Sequence, residues 1–187
     1  MKSKLRTLLI CIAGAGLGAQ AYATTPPAAT SNGTINITGK VTDTSCSLDS
    51  AAASTSVKLP SVNKSLLSTA GSSTGVAGFS LRVTGCSDGV KVSAAFVPNS
   101  HVDANGNLKN SASDTPASNV QVQVLDKNHE VININTDDNT KQMARAVEVS
   151  GAATPVNLQY YLRYYSEAGG AVAGNVIATA NFQLTYE

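Results

Sequence analysis

Tryptophan is absent from this chain of 187 residues, histidine occurs twice (His101 and His129) and cysteine three times. With so few ligands, zinc sites of the usual kinds are not expected. Charged residues make up only 13% of the chain, about half the usual quarter of a globular protein. The formal net charge is +1, so no basic excess exists to hold a phosphate backbone, and a nucleic-acid partner is not expected. No Cys-x-x-Cys spacing, nucleophile elbow, phosphate-binding glycine loop or zinc helix motif occurs, and without them the sequence offers no catalytic centre, cofactor site or small-molecule substrate. A metal-dependent secreted sandwich enzyme is disfavoured by the histidine count alone. What the chain has in abundance is Ser, Thr and Asn, arranged around short apolar runs.

Residues 1–23, MKSKLRTLLICIAGAGLGAQAYA, place Lys2, Lys4 and Arg6 ahead of an apolar stretch and finish on the small-residue box Ala21-Tyr22-Ala23. This is the pattern of a secretory signal peptide. The apolar part, Leu8 to Ala19, falls short of the roughly 18 to 20 residues a membrane span needs. Cys11 lies inside it, behind Ile10 where a lipoprotein cleavage site wants a small residue, so Cys11 is expected to leave with the signal. Cys46 and Cys86 remain, in a chain destined for a compartment where disulfides form, and they are expected to pair. Closing that loop would constrain the unfolded chain by about 4 kcal/mol in the loop-entropy picture.

The remainder alternates with period two. Gly33, Ile35, Ile37, Gly39 and Val41 fall on one side of an extended segment. The same period returns in Phe79, Leu81 and Val83; in Val90, Val92, Ala94 and Phe96; in Val120, Val122 and Val124; in Val147 and Val149; and in Val156, Leu158, Tyr160, Leu162 and Tyr164. Turn-rich stretches at 71–75, 103–110, 137–140 and 167–170 separate them. No helical stripe exceeds two turns. Short half-buried strands at this spacing need a second sheet over their apolar faces, so the expected class is an all-β sandwich. The cleanest alternation comes last: Ala178, Ala180, Phe182, Leu184 and Tyr186 against Thr179, Asn181, Gln183, Thr185 and Glu187. Such a strand is either tied into a sheet or offered to a partner.

Two apparent sites resolve differently. Asp103-Ala104-Asn105-Gly106-Asn107 imitates the start of a calcium loop, but Leu108 stands where that loop requires glycine, so it reads as a turn. Tyr160, Tyr161, Tyr164 and Tyr165 read as cross-strand aromatic pairs, with Tyr160 and Tyr164 inside.

The signal, the arm Asn32-Gly33-Thr34-Ile35-Asn36-Ile37-Thr38-Gly39-Lys40-Val41 leading to Cys46, Gly78-Phe79-Ser80-Leu81 ahead of Cys86, and the ending Phe182-Gln183-Leu184-Thr185-Tyr186-Glu187 together resemble the type 1-like fimbrial subunits (pilins) of the chaperone/usher pathway. The resemblance covers the whole chain. It implies an incomplete immunoglobulin-like β-sandwich lacking its final strand, completed by a donor strand from a partner. It divides the chain into a signal peptide (1–23), an N-terminal donor-strand extension (24–40) and a pilin domain (41–187). Gly33, Ile35 and Ile37 then become the donor strand, with Gly39 at the bend, although the same residues also suit a first strand of the subunit's own sheet. Phe182, Leu184 and Tyr186 become the strand that contacts the chaperone or the next subunit, plain core packing being the alternative for Tyr186. The expected partners are neighbouring copies or other pilins, a periplasmic chaperone and an outer-membrane usher. The expected location is a surface fimbria reached through the periplasm. A minor or adaptor subunit, or a secreted single-domain sugar-binding adhesin, are the competing functions.

Overall fold

The computed structural model describes residues 46–49, 55–151 and 154–187. The arm with Gly33, Ile35 and Ile37, and the signal sequence, lie outside them. Nine strands are described: β1 (Ser47–Leu48), β2 (Ser72–Thr84), β3 (Lys91–Phe96), β4 (Leu108–Lys109), β5 (Gln121–Leu125), β6 (Val131–Ile132), β7 (Val147–Glu148), β8 (Val156–Ser166) and β9 (Phe182–Tyr186). One sheet runs β1-β2-β8-β5-β4, with β6 added to β5, and the other runs β7-β3-β9. Every strand pair is antiparallel.

The long β2–β8 seam sets the register, with Val83 opposite Val156, Leu81 opposite Leu158 and Phe79 opposite Tyr160. These side chains share the inner face because residues directly across an antiparallel ladder point the same way. They meet Val92, Ala94 and Phe96 of β3 and Val122 and Val124 of β5 in one buried core. The aromatic pairing expected from the tyrosine run is present: the Tyr160 ring lies 5.8 Å from Phe79 and meets Phe96 edge-on at 5.3 Å. On the outside Tyr161 stacks on His129 at 4.0 Å.

Cys46 and Cys86 are bonded, with Cα atoms 4.5 Å apart, tying β1 to the far end of β2. The Asp103 loop is a turn: its carboxylate accepts the backbone N–H groups of Asn105 and Asn107, both at 2.9 Å.

Three details depart from the periodic reading. The stretch 71–75 turns only at its start, since β2 begins at Ser72 and carries a bulge between Thr74 and Ala77. Gly75 sits in that bulge at φ +69°, where a Cβ would come within 2.8 Å of the Tyr164 ring, so both conformation and space demand glycine. The stretch 137–140 opens a short helix, α1 (Asn139–Ala144), with Asp138 accepting the Lys141 N–H as its cap. α1 lies over β3, whose polar-side residues Ser93 and Ala95 are consequently buried. Finally, the alternating segment 178–187 enters the ladder only over Phe182–Tyr186, because β3 stops at Phe96 and nothing continues it alongside Ala178 and Ala180.

Candidate functional site

β9 is the last strand of its sheet, and its hydrogen-bonding phase decides which residues face the free edge. Lys91 and Glu187 exchange both main-chain bonds at 3.0 Å, and the Val97 N–H donates to the Asn181 carbonyl at 2.8 Å. Odd-numbered residues therefore face β3, and by alternation the main-chain groups of Phe182, Leu184 and Tyr186 point away from it.

The extended chain upstream keeps the same phase. Asn175 and Ile177 are held on their odd side: the Asn175 carbonyl accepts from Ala117 N–H at 2.9 Å, and the Ile177 carbonyl from Ser111 N–H at 2.7 Å. The Asn110 side chain staples this contact, its amide donating to the Ala117 and Asn175 carbonyls and its oxygen accepting the Ile177 N–H. Among the described residues, no hydrogen bond engages the main-chain groups of Val176, Ala178 or Ala180. Six alternate residues, Val176 to Tyr186, thus line one continuous unpaired edge.

Beside that edge the two sheets do not meet. A groove of about 650 Å³ opens between the segment Thr55–Leu59 and the row Ala178, Ala180 and Phe182, floored by Phe79, Leu81, Phe96, Leu162 and Tyr164. Past Tyr164 and Val176, which line both spaces, it continues into a second hollow of about 340 Å³ between Val62, Leu67, Val120 and Ala171. The inward side chains along this path, Val176, Ala178, Ala180, Phe182 and Leu184, pack on the core yet stay half-exposed. Burial raises the Tyr164 phenol above its ordinary value.

An open main-chain edge beside an apolar trough has the two parts of a strand-accepting site. The edge supplies hydrogen bonds along its length and the trough supplies burial for alternate side chains. Nothing in it is suited to chemistry, and no group of acidic, histidine or cysteine side chains among the described residues is placed to hold a metal.

Of the residues singled out from the sequence, Phe182 and Leu184 lie on this edge facing the groove. Tyr186 lies on the same edge with its side chain 45% exposed, outside the core. Gly33, Ile35 and Ile37 fall outside the described residues. Sequence reading did not assign the opposite wall, Thr55–Leu59, whose only signal is the pair Val57 and Leu59 two apart. Nor did it find the Asn110 staple, a lone asparagine in a polar loop.

The sandwich and its open seam agree with comparisons to known proteins. The family described as FimA, type-1 fimbrial protein, A, matches residues 59–187. The major fimbrial subunit SMF-1 of Stenotrophomonas maltophilia is 37% identical over 161 residues, covering 83% of this chain and 92% of that one. The F17 fimbrial protein of Escherichia coli is 34% identical over 181 residues, covering 91% and 96%. Among solved structures, the P pilus rod subunit PapA superposes with a TM-score of 0.53 at 19% identity, covering 76% of this chain and 99% of that chain, a likeness of fold with its incomplete immunoglobulin-like sandwich. The chain belongs to the type-1 fimbrial protein family, and it is a structural subunit of a surface fimbria, associating with other pilin subunits and supporting adhesion, rather than an enzyme.

Proposed function

We propose that this subunit polymerises by donor-strand exchange, the arm 24–40 of one copy filling the groove of the next. The observation that carries the reading is the unpaired edge from Val176 to Tyr186 running beside an apolar trough of about 650 Å³. The arm is matched to it in period, since Gly33, Ile35 and Ile37 alternate with Thr34, Asn36 and Thr38.

It is matched in size as well. Antiparallel pairing that sets Gly33 beside Phe182 sets Ile35 beside Ala180 and Ile37 beside Ala178. The large donor side chains then meet the small ones of the edge, and the residue without a side chain meets the phenyl ring. Each isoleucine taken from water contributes about 1.5 to 3 kcal/mol, to which the main-chain ladder adds direction. Groove and arm come from different parts of the sequence, so the contact is head-to-tail and repeats into an open filament.

An exposed apolar edge is an aggregation hazard before assembly. A periplasmic chaperone covering Phe182, Leu184 and Tyr186, after removal of residues 1–23, and an outer-membrane usher that hands subunits on, complete the route to the surface.

The test compares the chain from residue 24 onward with a version in which residues 24–40 are repeated after Glu187 through a flexible linker. Supplying the strand in cis removes the association cost. A large rise in melting temperature and a shift from polymer to monomer on size exclusion are expected. Equal stability and unchanged size would overturn the proposal.

A further inference from the structure

The sheet β7-β3-β9 has a second side open in principle to a foreign strand, and there the structure does something different. β7 covers β3 only briefly: the Val149 N–H donates to the Val90 carbonyl at 2.8 Å, and Val147 lies opposite Val92. The same register sets position 145 opposite Ala94, but no strand is present there. α1 closes instead, and the Arg145 N–H turns back onto the Met143 carbonyl.

Side chains take the missing strand's place. The Ala94 N–H donates to the Tyr160 hydroxyl at 3.0 Å, and the Ala94 carbonyl accepts from Arg145 Nη2 at 3.0 Å. Arg145 is in turn held by Asp137 through two bonds, Nη1 to Oδ1 at 2.6 Å and Nη2 to Oδ2 at 2.5 Å. Both side chains are almost sealed, 7% and 2% exposed, and Arg145 Nε has no partner. A buried ion pair of this kind is seldom more stabilising than apolar packing of the same volume. Its presence at Ala94, the first position of β3 that β7 leaves without a strand opposite, is explained by what it occupies.

We propose that Asp137, Arg145 and Tyr160 form a plug that closes β3 beyond β7 to strand addition, so that the sheet β7-β3-β9 accepts a strand along β9 and the filament does not branch at its other side. This rests on the donor-strand reading above, which supplies the strand that must be kept out.

The experiment uses the chain carrying residues 24–40 repeated after Glu187, so that the groove is already filled, with and without Asp137→Leu together with Arg145→Met. Three readouts are taken: hydrogen exchange at the Ala94 amide, uptake of a labelled peptide of residues 24–41, and mass against concentration by sedimentation. With the plug intact, Ala94 should be protected like the paired Val92 amide, the peptide should not bind, and the protein should stay monomeric. Without it, Ala94 should exchange about tenfold faster or more, and either the peptide or a second copy should add.

A folded double variant that remains monomeric and binds no peptide overturns the proposal. Should that variant not fold, Tyr160→Phe removes the acceptor of the Ala94 N–H, along with the 3.3 Å contact of the same hydroxyl to Ser93 Oγ, and unchanged exchange at Ala94 there is equally fatal. Failure of the donor-strand reading is seen separately, as the absence of any gain from the repeated segment in the unsubstituted chain.

Discussion

At the residue scale, Tyr164 reports on the groove. Its ring lines both hollows and crowds Gly75, and burial holds the phenol above its ordinary value. A phenol whose native value is raised favours the folded state in its neutral form. That contribution is complete below the ordinary phenol value near 10 and fades as pH climbs through the raised native one. A seated strand would shut more water away from the ring and push the value higher. In an absorbance titration of tyrosinate, the transition that Tyr164→Phe removes should move to still higher pH when the arm is supplied in cis. No movement would mean that the arm does not cover this part of the floor.

At the element scale, the decisive property is phase. β9 turns its odd-numbered main-chain groups to β3, the chain before it commits those of Asn175 and Ile177 to the 110–117 segment, and the even ones from Val176 to Tyr186 are left for a partner. The strand itself was legible because Phe182, Leu184 and Tyr186 alternate cleanly with polar residues, and β2, β3, β5 and β8 were legible on the same ground. The short α1 was not, since its six residues NTKQMA carry no apolar stripe and are set by the Asp138 cap and by packing over β3. Nor was the groove's second wall, because Thr55–Leu59 becomes a wall only through the distant residues it faces. The plug at Ala94 was equally hidden, as Asp137 and Arg145 flank α1 and Tyr160 comes from β8, with no shared motif. The proposed register is open to a direct check. Residues directly opposite on a ladder bring their Cβ atoms about 4.5 to 5.5 Å apart, close enough for a disulfide after slight adjustment. Ile35→Cys combined with Ala180→Cys should cross-link adjacent subunits in an assembled filament, whereas Ile35→Cys with Ala178→Cys, two residues out of register, should cross-link far less. The reverse ranking would shift the register by two and seat a side chain other than Gly33 beside Phe182.

At the scale of the whole molecule, the proposed donor-strand exchange and plug would make the subunit a link with one acceptor and one donor, two functions separable by substitution. Ile35→Asp would carry a charge into the apolar trough at a cost of several kcal/mol, the order expected for an unpaired buried ion. It leaves 46–187 untouched, so such a subunit should still accept a strand but not give one. Ala180→Arg places a long charged side chain on the edge the arm must lie along, and should give a subunit that donates but does not accept. Each variant alone should remain a monomer, or a chaperone-bound complex, by sedimentation. Mixed in equal amounts they should form dimers and nothing longer, because the only productive contact, the intact arm of the Ala180→Arg subunit in the intact groove of the Ile35→Asp subunit, leaves a blocked arm at one end and a blocked groove at the other. Filaments from either variant alone would show that subunits join through some other surface. Continued growth in the mixture would point to a second accepting edge on each copy, which is what the Asp137, Arg145 and Tyr160 plug is held to prevent.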